Sequence, residues 1–373
     1  MKFVITCGGT AGHINPGVAI ANQLKEVEPS CEIVFIGASG NMEMDLVPRE
    51  GYDIIPIRIT NISRDLSLEG IRHNLATVQN VFSSTHEVRK ILRGFSPDAV
   101  IGTGGYVCYP VLMAASQLGI STFIHESNAF PGLTTKLLAS HVDRIFTGME
   151  SGKAAYSDPS KVIFTGTPVR KGFRAYSKES AREFLGLSPD ELLVVSVMGS
   201  LGAGHVNQML IEMIDTLCTT HAFHLVHVTG EKYYNSFMES LSTRCPDYQS
   251  SGIEIFPYVH DMPQMMCAAD LVICRSGAST LSELCYTGKP AILIPSPNVT
   301  ANHQEKNARV LENAGGAKVC LEESVNSGIL LNEICDLLSD RQLLDWMSAN
   351  MRSMSVDRSA ELIVDKILSF VRG

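Results

Sequence analysis

A histidine follows a glycine-rich stretch near the beginning of the chain, at a position suited to proton transfer. The stretch TCGGTAGHINPGVAIA (6–21) comes after a short apolar run and leads into a helical pattern, so His13 lies at a predicted helix N-terminus. The helix dipole disfavours an imidazolium there, which keeps the ring neutral and able to accept a proton. His13 is therefore the leading candidate for a general base, and a helix cap or packing residue is the structural alternative.

Other groups could also move a proton. His125 beside Glu126 in HESN (125–128), and Tyr106 in the GGYV turn, are rivals to His13. HESN could equally be a strand end whose polar groups hold a loop. It is not the HExxH zinc motif, and the chain contains no Asp-x-Asp, the usual ligand pair for a divalent metal in nucleotide-sugar enzymes. We therefore predict neither a metal nor a cofactor.

Three glycine loops of similar kind recur along the chain. Besides the first, MGSLGAGH (198–205) and RSGAST (275–280) each follow an apolar strand pattern and precede a helix. Amide groups at a helix start favour a negative charge, so the repetition predicts a phosphate ligand, although glycines also simply permit tight turns. The loops lack the GxGxxG spacing with its distant acid and the GK[ST] of a P-loop, which makes NAD and ATP poor candidates.

A glutamate follows the third loop one to two turns into its helix. Glu283 could accept both hydroxyls of a ribose, a task for which amide donors are unsuited. Taken alone, a glutamate at such a position is more often a solvated face residue.

Short β-branched runs alternate with helical patterns through the whole chain, which is typical of parallel sheets covered by helices. The pattern restarts after the polar stretch 165–184. We therefore predict an α/β protein of two doubly wound, Rossmann-like domains facing a central cleft, with domains at 1–165 and 166–354 and a C-terminal helical segment, 355–373, that packs back on the first. The predicted strands are KFVIT (2–6), EIVFIG (32–37), DAVIG (98–102), STFIHE (121–126), RIFTG (144–148), LLVVSVMGS (192–200), HLVHVTG (224–230), DLVICRSG (270–277) and AILIPS (291–296).

Composition narrows the class of protein. The 373 residues exceed what one hydrophobic core usually supports, and 45% of them are hydrophobic against 18% charged, as in globular proteins. A net charge of -9 argues against nucleic-acid binding. No apolar run is long enough to span a bilayer, and ten scattered cysteines without a CxxC pair predict reduced thiols, with no disulfide and no structural zinc.

Seven segments, in order along nearly the whole chain, resemble the MurG family of GT-B glycosyltransferases, the cytoplasmic enzymes of peptidoglycan synthesis that convert lipid I to lipid II. The segments are GGTAGHINPGVAIA (8–21), GTGGYVCYP (102–110), HESNAFPGLTTKLLA (125–139), GTPVR (166–170), MGSLGAG (198–204), CRSGASTLSEL (274–284) and NHQEKNA (302–308). Three positions depart from the family pattern: Ala11 replaces a third glycine, Ser127 a glutamine, and Leu201 the glutamine of GSQGA.

The resemblance implies a GT-B fold, UDP-GlcNAc as a donor held mainly by the second domain, and lipid I as an acceptor held by the first. It implies inverting transfer of GlcNAc to the C4 hydroxyl of the muramyl sugar, with the leaving diphosphate stabilised by amides and side chains. The implied donor contacts are Arg170 and Ser200 near the diphosphate, Val259 beside the uracil, Ala278, Ser279, Thr280, Leu281, Ser282 and Glu283 around the diphosphate and ribose, and Asn128 and Gln304 at the GlcNAc hydroxyls. Thr10, Ala11 and Gly12 would line the acceptor side.

A lipid acceptor implies a peripheral protein on the cytoplasmic face of the cell membrane, together with other cell-wall synthesis proteins as partners. Residues 58–93 hold six basic and three acidic residues among apolar ones such as Val81, Phe82 and Leu92, which predicts contact with anionic lipid; an amphipathic helix packed on the sheet is the alternative. Other readings are another GT-B enzyme, such as a glycolipid synthase or a UDP-GlcNAc 2-epimerase, and a non-catalytic nucleotide-sugar-binding module.

Overall fold

Two parallel β-sheets organise the chain, one in each of two units. The computed structural model describes residues 1–60, 67–188, 190–199 and 202–373. The first unit consists of Met1–Arg170 and Val356–Gly373, and the second of Lys171–Ser355. The second unit is therefore an insertion in the sequence of the first. The predicted α/β class, with two doubly wound parallel-sheet domains, is confirmed.

The first unit has a seven-stranded sheet in the order β3-β2-β1-β4-β5-β6-β7, with every pair parallel. Successive strands are added toward one edge of the sheet from β1 to β3 and toward the other edge from β4 to β7, so the strand order reverses between β1 and β4. In such sheets, ligands bind beyond the carboxyl ends of the strands near this point. The strands are β1 (Lys2–Thr6), β2 (Glu32–Ala38), β3 (Asp53–Ile57), β4 (Ala99–Gly102), β5 (Ser121–Glu126), β6 (Arg144–Thr147) and β7 (Val162–Phe164).

Alternate side chains of these strands enter two different cores. In β1, Val4 packs into one core, while Phe3 and Ile5 pack into the other. This follows from the period of two along a strand, and it requires helices on both faces of the sheet. The helices of the first unit are α1 (Ala11–Val27), α2 (Glu43–Arg49), α3 (Leu68–Phe95), α4 (Cys108–Gln117), α5 (Leu133–Leu138) and, from the C-terminal segment, α14 (Ser359–Arg372).

The second unit repeats the plan with a six-stranded parallel sheet in the order β10-β9-β8-β11-β12-β13. Its strands are β8 (Leu193–Val197), β9 (His224–Val228), β10 (Ile253–Phe256), β11 (Leu271–Cys274), β12 (Ala291–Leu293) and β13 (Ala317–Val319). Its helices are α6 (Lys178–Phe184), α7 (Gly204–Thr220), α8 (Glu231–Arg244), α9 (Met262–Ala268), α10 (Ala278–Thr287), α11 (His303–Asn313), α12 (Ser327–Ser339) and α13 (Arg341–Ser353). Shorter 3-10 turns occur at Glu150–Ala155, Pro159–Lys161, Lys171–Arg174, Tyr248–Ser251 and Thr300–Asn302.

The prediction of fully reduced cysteines is wrong for one pair. Cys218 and Cys245 form a disulfide, with their sulfur atoms 2.17 Å apart. Cys218 lies in α7 and Cys245 caps α8, two neighbouring helices. Because the two residues are separated by 27 positions and belong to no short motif, their spacing carried no signal of the pairing.

Within the residues that the structure describes, every helix is too short or too polar to cross a bilayer.

Candidate active site

The first glycine loop connects β1 to α1, and its amides are only partly available to a ligand. The Gly8 N–H donates to the carbonyl of Gly104 (3.2 Å), and the Gly9 N–H donates to Oε2 of Glu43 (3.1 Å). The glycine pattern predicts amides that face a phosphate, whereas these two amides are engaged within the protein. Thr10, Ala11 and Gly12, the residues predicted to line the acceptor side, follow at the start of α1.

The first glycine loop is held by the carboxylate of Glu43, a residue that the sequence did not single out. Glu43 is fully buried at the start of α2, where its Oε1 also accepts the N–H of Ala38 at the end of β2 (3.0 Å). A Cβ at Gly8 would lie 2.3 Å from Oε1 of Glu43, so any larger residue there would displace this carboxylate. Glu43 thus fixes the first loop to the neighbouring strand.

The orientation of His13 is set by the same loop. Its Nδ1 lies 3.0 Å from the Gly8 carbonyl and 3.3 Å from the Thr10 hydroxyl. A carbonyl can only accept, so the Gly8 contact requires the proton on Nδ1, and the lone pair of the neutral ring is then on Nε2. The ring packs over Gly104, which has φ +116 and where a Cβ would lie 2.4 Å from Cδ2 of His13.

Tyr106 is close to the first loop. Its ring lies near Gly9, where a Cβ would be 3.8 Å from Cε1 of Tyr106, and its hydroxyl accepts a hydrogen bond from Nδ2 of Asn41 (2.6 Å). His13, Tyr106 and Glu43 therefore come together beyond the carboxyl ends of β2, β1 and β4, which are adjacent in the sheet.

The other predicted histidine is placed differently. His125 is fully buried, with Nε2 2.9 Å from the carbonyl of Gly166 and Nδ1 3.3 Å from the hydroxyl of Ser127. Burial lowers the pKa of its imidazole, which keeps the ring neutral. Both nitrogens contact the protein interior, so His125 ties the end of β5 to the segment around Gly166.

Glu126 uses both carboxylate oxygens to shape the loop after β5. Oε1 accepts from the backbone N–H (3.1 Å) and the Nδ2 (2.8 Å) of Asn128, and Oε2 accepts from the N–H of Gly132 (2.9 Å) and the hydroxyl of Thr135 (2.7 Å). The carboxylate is buried. The Asn128 side chain is thus held by its amide nitrogen against Glu126.

Three large apolar side chains project from this loop and from α5. Phe130, in the loop, and Leu133 and Leu137, in α5, are exposed over 50%, 58% and 51% of their surfaces. The four-residue spacing of Leu133 and Leu137 places these two on one helix face. In the segment 58–93, where the sequence predicted a lipid-contacting patch, residues 61–66 lie outside the described residues, as do the side chains of 68–79 and 82. Leu92 is fully buried in the core and cannot contact lipid.

In the second unit, the start of α10 carries the largest group of predicted donor residues. The predicted residues from Ala278 to Glu283 form the first two turns of this helix, and its N-cap, Gly277, has no side chain to cap them. The N–H of Leu281 donates to the carbonyl of Gly277 (3.0 Å), so only the amides before Leu281 lack an intrahelical acceptor. Glu283 is only 6% exposed, so it is not the solvated face residue that its position alone suggests. Burial, together with the nearby Glu283 carboxylate, raises the pKa of the Cys274 thiol to about 12.

The remaining donor predictions are spread over several elements. Gln304, in the first turn of α11, accepts the N–H of Ser296 through Oε1 (2.8 Å), which leaves its Nε2 hydrogens as the donors it can offer. Val259 is half-buried in the turn between β10 and α9. Arg170 is the last residue of the first unit, and Ser200 lies outside the described residues.

Arg275 of the third glycine loop serves the protein interior. Its Nη1 donates to the carbonyls of Ile294 (2.9 Å) and Pro295 (3.1 Å) and forms an ion pair with Glu322 (2.6 Å). Arg275 therefore links β11 to the end of β12. Across the described ranges, His, Cys, Asp and Glu side chains do not gather in groups of three that could hold a metal ion.

Comparisons with known proteins cover the whole chain. Residues 3–147 match the N-terminal domain of glycosyltransferase family 28, and residues 193–363 match its C-terminal domain. The chain is 45% identical, over 373 residues, to the UDP-N-acetylglucosamine--N-acetylmuramyl-(pentapeptide) pyrophosphoryl-undecaprenol N-acetylglucosamine transferase of Acetivibrio thermocellus, covering 100% of this chain and 99% of that protein. The protein of the same name from Ruminiclostridium cellulolyticum is 39% identical, with 100% of both chains covered.

Solved structures agree with this result. MurG of Acinetobacter baumannii superposes with a TM-score of 0.76 at 25% identity, covering 99% of both chains. A UDP-GlcNAc 2-epimerase from Neisseria meningitidis, bound to UDP-GlcNAc, superposes with a TM-score of 0.67 at 14% identity, covering 99% of this chain and 100% of that one. At that identity the second match establishes a shared fold only.

Proposed function

The chain belongs to the family of UDP-N-acetylglucosamine--N-acetylmuramyl-(pentapeptide) pyrophosphoryl-undecaprenol N-acetylglucosamine transferases, and we propose that it transfers GlcNAc from UDP-GlcNAc to the C4 hydroxyl of the muramyl sugar in lipid I. The anomeric carbon inverts from α to β, and UDP leaves. The proposal rests on full-length identity of up to 45% to transferases of that name among the relatives described above. The two substrates would be divided between the units, with the acceptor on the first and UDP-GlcNAc mainly on the second.

His13 would be the general base. The attacking hydroxyl must lose its proton as the new glycosidic bond forms, and a neutral imidazole positioned at that hydroxyl can take it. The observation that carries this assignment is the 3.0 Å contact from Nδ1 to the Gly8 carbonyl, because it puts the basic lone pair on Nε2. Tyr106 would line the acceptor side of the same loop.

Glu126 would act on the reaction through Asn128. Its two oxygens accept four hydrogen bonds, two of them from Asn128, so the carboxylate is fully occupied in holding the loop. We therefore assign Glu126 a positioning role in place of proton transfer. Asn128, held in this way, would contact a hydroxyl of the sugar.

The leaving diphosphate gains negative charge, and the start of α10 is suited to receive it. The amides that begin at Ala278 point outward from an N-cap glycine, and the positive end of the helix dipole lies there. Arg170 and Ser200 would add donors, Val259 would contact the uracil, and Gln304 would donate through Nε2 to the GlcNAc. Glu283 would accept the ribose hydroxyls. Because the chain contains no Asp-x-Asp, we propose that UDP leaves without a bound metal.

The acceptor is a membrane lipid, so the first unit would work at the cytoplasmic face of the membrane as a peripheral protein. The exposed side chains of Phe130, Leu133 and Leu137, with Lys136 between them, provide apolar area and a positive charge next to the Glu126 loop. Such a combination favours an interface of anionic lipid.

The membrane contact is tested by vesicle binding. We expect the double variant Leu133→Ser, Leu137→Ser to bind phosphatidylglycerol vesicles at least several-fold more weakly. Full burial of a leucine side chain gives about 1.5–3 kcal/mol, and about half of each side chain is exposed and can be buried by lipid. The matched control is Phe184→Ser, an exposed residue of the second unit. Equal loss in the control, or none in the double variant, would count against this surface.

The activity is tested by UDP release from UDP-GlcNAc in the presence of EDTA, with and without a lipid I analogue. Release that requires the analogue and yields a β-1,4-linked disaccharide establishes the transfer and its independence of free metal. Release of UDP without acceptor, accompanied by ManNAc, would instead identify an epimerase. Binding of UDP-GlcNAc without any turnover would identify a nucleotide-sugar-binding module.

A further inference from the structure

An ion pair joins the carboxyl ends of three neighbouring strands in the second unit. β11, β12 and β13 are adjacent and parallel, so the residues that follow them lie at one edge of the sheet. Arg275 follows β11 directly, and Glu322 lies in the turn after β13. Nη1 of Arg275 is 2.6 Å from Oε2 of Glu322. The ion pair therefore spans the end of β12, which lies between the other two strands.

Both members of this ion pair are largely removed from solvent. The side chains of Arg275 and Glu322 are 13% and 15% exposed. The same Nη1 of Arg275 donates to the carbonyls of Ile294 (2.9 Å) and Pro295 (3.1 Å). Oε1 of Glu322 lies 3.5 Å from Nδ1 of His205, at the start of α7. Because removal of one partner would leave a shielded charge without its counter-charge, Glu322 stabilises Arg275 against the carbonyls that follow β12.

The segment after β12 in turn holds Gln304, at the start of α11. The N–H of Ser296 donates to Oε1 of Gln304 (2.8 Å). The chain enters α11 through two residues in the left-handed region, Ala301 with φ +53 and Asn302 with φ +51. That conformation is unfavourable for residues other than glycine and persists only where the surroundings impose it. The hydrogen bond from Ser296 is one contact that imposes it, so the position of Gln304 depends on that of Ser296.

A continuous path of contacts therefore connects Glu322 to Gln304. It runs through the ion pair to Arg275, through the hydrogen bond from Arg275 to the Pro295 carbonyl, and then to Ser296, which is bonded to Pro295 and donates to Gln304. All of these residues belong to the second unit. Since Oε1 of Gln304 is engaged by Ser296, this path determines where the Nε2 hydrogens are directed.

We propose that the ion pair of Arg275 and Glu322 determines the discrimination between sugar nucleotides by positioning Gln304. This inference rests on the proposed function, in which Nε2 of Gln304 donates to the GlcNAc. A site built to hydrogen-bond a hydroxyl discriminates against a sugar that presents the hydroxyl differently, because a polar group of the protein is then left unpaired. Arg275 and Glu322 act through Gln304 and are therefore positioning residues.

The test is calorimetric binding of three nucleotides to the full chain. UDP-GlcNAc is compared with UDP-GalNAc, which differs only in the orientation of the C4 hydroxyl, and with UDP, which has no sugar. We expect the unchanged chain to prefer UDP-GlcNAc over UDP-GalNAc at least about tenfold. Gln304→Ala should reduce this preference by removing the donor.

Glu322→Gln removes the charge and keeps the size of the side chain. We expect it to reduce the preference for UDP-GlcNAc over UDP-GalNAc at least roughly threefold, as for the weakening of one neutral hydrogen bond, while the affinity for UDP stays within about twofold. Added to Gln304→Ala, Glu322→Gln should change the preference no further, since both substitutions act on one contact. A general loss of structure would instead lower the affinity for UDP as well.

The matched control is Glu323→Gln, an exposed glutamate next to Glu322 in the same turn, which should keep the preference of the unchanged chain. The proposal is overturned by an unchanged preference in Glu322→Gln or in Gln304→Ala, by a further loss in the double variant, or by an equal loss of affinity for UDP. These results bear on the inference alone. An unchanged chain that fails to bind UDP-GlcNAc would contradict the proposed function, and this inference with it.

Discussion

His13 illustrates how a backbone carbonyl can determine the chemistry of a side chain. The Gly8 oxygen requires a proton on Nδ1, and the ring is packed against Gly104, so both the tautomer and the ring plane are set before any substrate binds. The sequence placed a histidine at a helix start. Which nitrogen carries the lone pair depends on a carbonyl five residues earlier, and only the folded loop brings the two together.

We expect His13→Gln to lower kcat by roughly 10²–10⁴-fold, the usual contribution of a general base, with little change in KM for UDP-GlcNAc. Glutamine can still donate to the Gly8 carbonyl but has no basic nitrogen. Steady-state rates of UDP release with a lipid I analogue measure both constants. His141→Gln, at an exposed histidine of the same unit, is the control. A His13→Gln enzyme with unchanged kcat would remove His13 as the base.

Glu43 is the functional residue that sequence reasoning missed. A lone glutamate at the start of a short helix looks like an ordinary N-terminal acid, which interacts favourably with the helix dipole. Its role becomes visible only in the fold, where it accepts N–H groups from the first glycine loop and from β2. Gly37, in β2, makes room for the Glu43 side chain, because a Cβ there would lie 2.7 Å from Cγ of Glu43. A glycine inside this predicted strand is therefore the one sequence feature that is connected with Glu43.

We expect Glu43→Ala to reduce the free energy of unfolding of the first unit by roughly 2–4 kcal/mol, since it leaves two amides without an acceptor. Glu43→Gln should lower the free energy of unfolding by a smaller amount, because the single side-chain oxygen of glutamine can still accept one of the two hydrogen bonds. Calorimetric unfolding measures the stability, and KM for the lipid I analogue should rise in both variants. Glu50→Gln, exposed at the end of the same helix, should change neither quantity.

At the scale of elements, the nine strands predicted from the sequence are all present, and the four that it missed are β3, β7, β10 and β13. These four are the edges of the two sheets. Central strands of a parallel sheet are buried on both faces and read as continuous apolar runs, whereas edge strands are shorter and partly exposed. β7 and β13 have three residues each, and β3 contains Pro56, which only an edge tolerates readily.

The glycine loops show the same division between what sequence can and cannot predict. Their positions after β1, β8 and β11 were predictable, since glycines before a helix have a recognisable pattern. The partners of their amides were not, because Glu43 and Gly104 reach the first loop from distant parts of the chain. Likewise, HESN was recognisable as a polar strand end, but the four hydrogen bonds of Glu126 depend on a loop that folds back to Thr135.

β9 contains a histidine that makes the second unit sensitive to acid. His227 is fully buried, with Nδ1 3.2 Å from the Ser196 hydroxyl and Nε2 without a partner among the described residues. Burial lowers its pKa to about 3. The folded state therefore excludes a proton that the unfolded chain binds below about pH 6.5. The stability contributed by the neutral ring is complete above that pH and is lost as the pH falls toward 3.

We expect His227→Gln to flatten the dependence of unfolding free energy on pH by about 1.4 kcal/mol per pH unit between about pH 4 and 6, the value for one proton. Glutamine stays neutral and can still accept from Ser196. Trp346 is the only tryptophan of the chain and belongs to the second unit, so its fluorescence during urea unfolding reports on this unit. His260→Gln, at an exposed position, should keep the original slope.

At the scale of the molecule, the first unit is built from two separated parts of the chain. α14 contributes Ile363, Val364, Ile367 and Leu368 to the same core as Phe3 and Ile5 of β1. Each such side chain stabilises by about 1.5–3 kcal/mol when buried. Together they are comparable to the whole stability of an ordinary domain, about 5–15 kcal/mol. The C-terminal segment is thus part of the first fold, even though it follows the second in sequence.

We expect deletion of residues 356–373 to unfold or aggregate the first unit while the second keeps its structure, because the deletion removes four side chains from the core that α14 shares with α1 and β1. Far-UV circular dichroism and limited proteolysis would show a resistant fragment that corresponds to Lys171–Ser355. Ile363→Ala should lower the free energy of unfolding of the first unit by about 2–5 kcal/mol without unfolding the protein. A truncated chain as stable as the full one would contradict the role given to α14.

This arrangement also affects how the protein is made. During synthesis, residues 1–170 are translated before the second unit, but α14, which completes the core on one face of their sheet, is translated only after the entire second unit. Because translation proceeds at about 5–20 residues per second, synthesis of the second unit takes roughly ten seconds or more. During this time Phe3, Ile5 and the side chains around them are incompletely buried. The second unit can complete its own core during this time. The first unit therefore starts to be synthesised first but completes its core last. Chaperones have the longest access to the core residues that α14 finally buries.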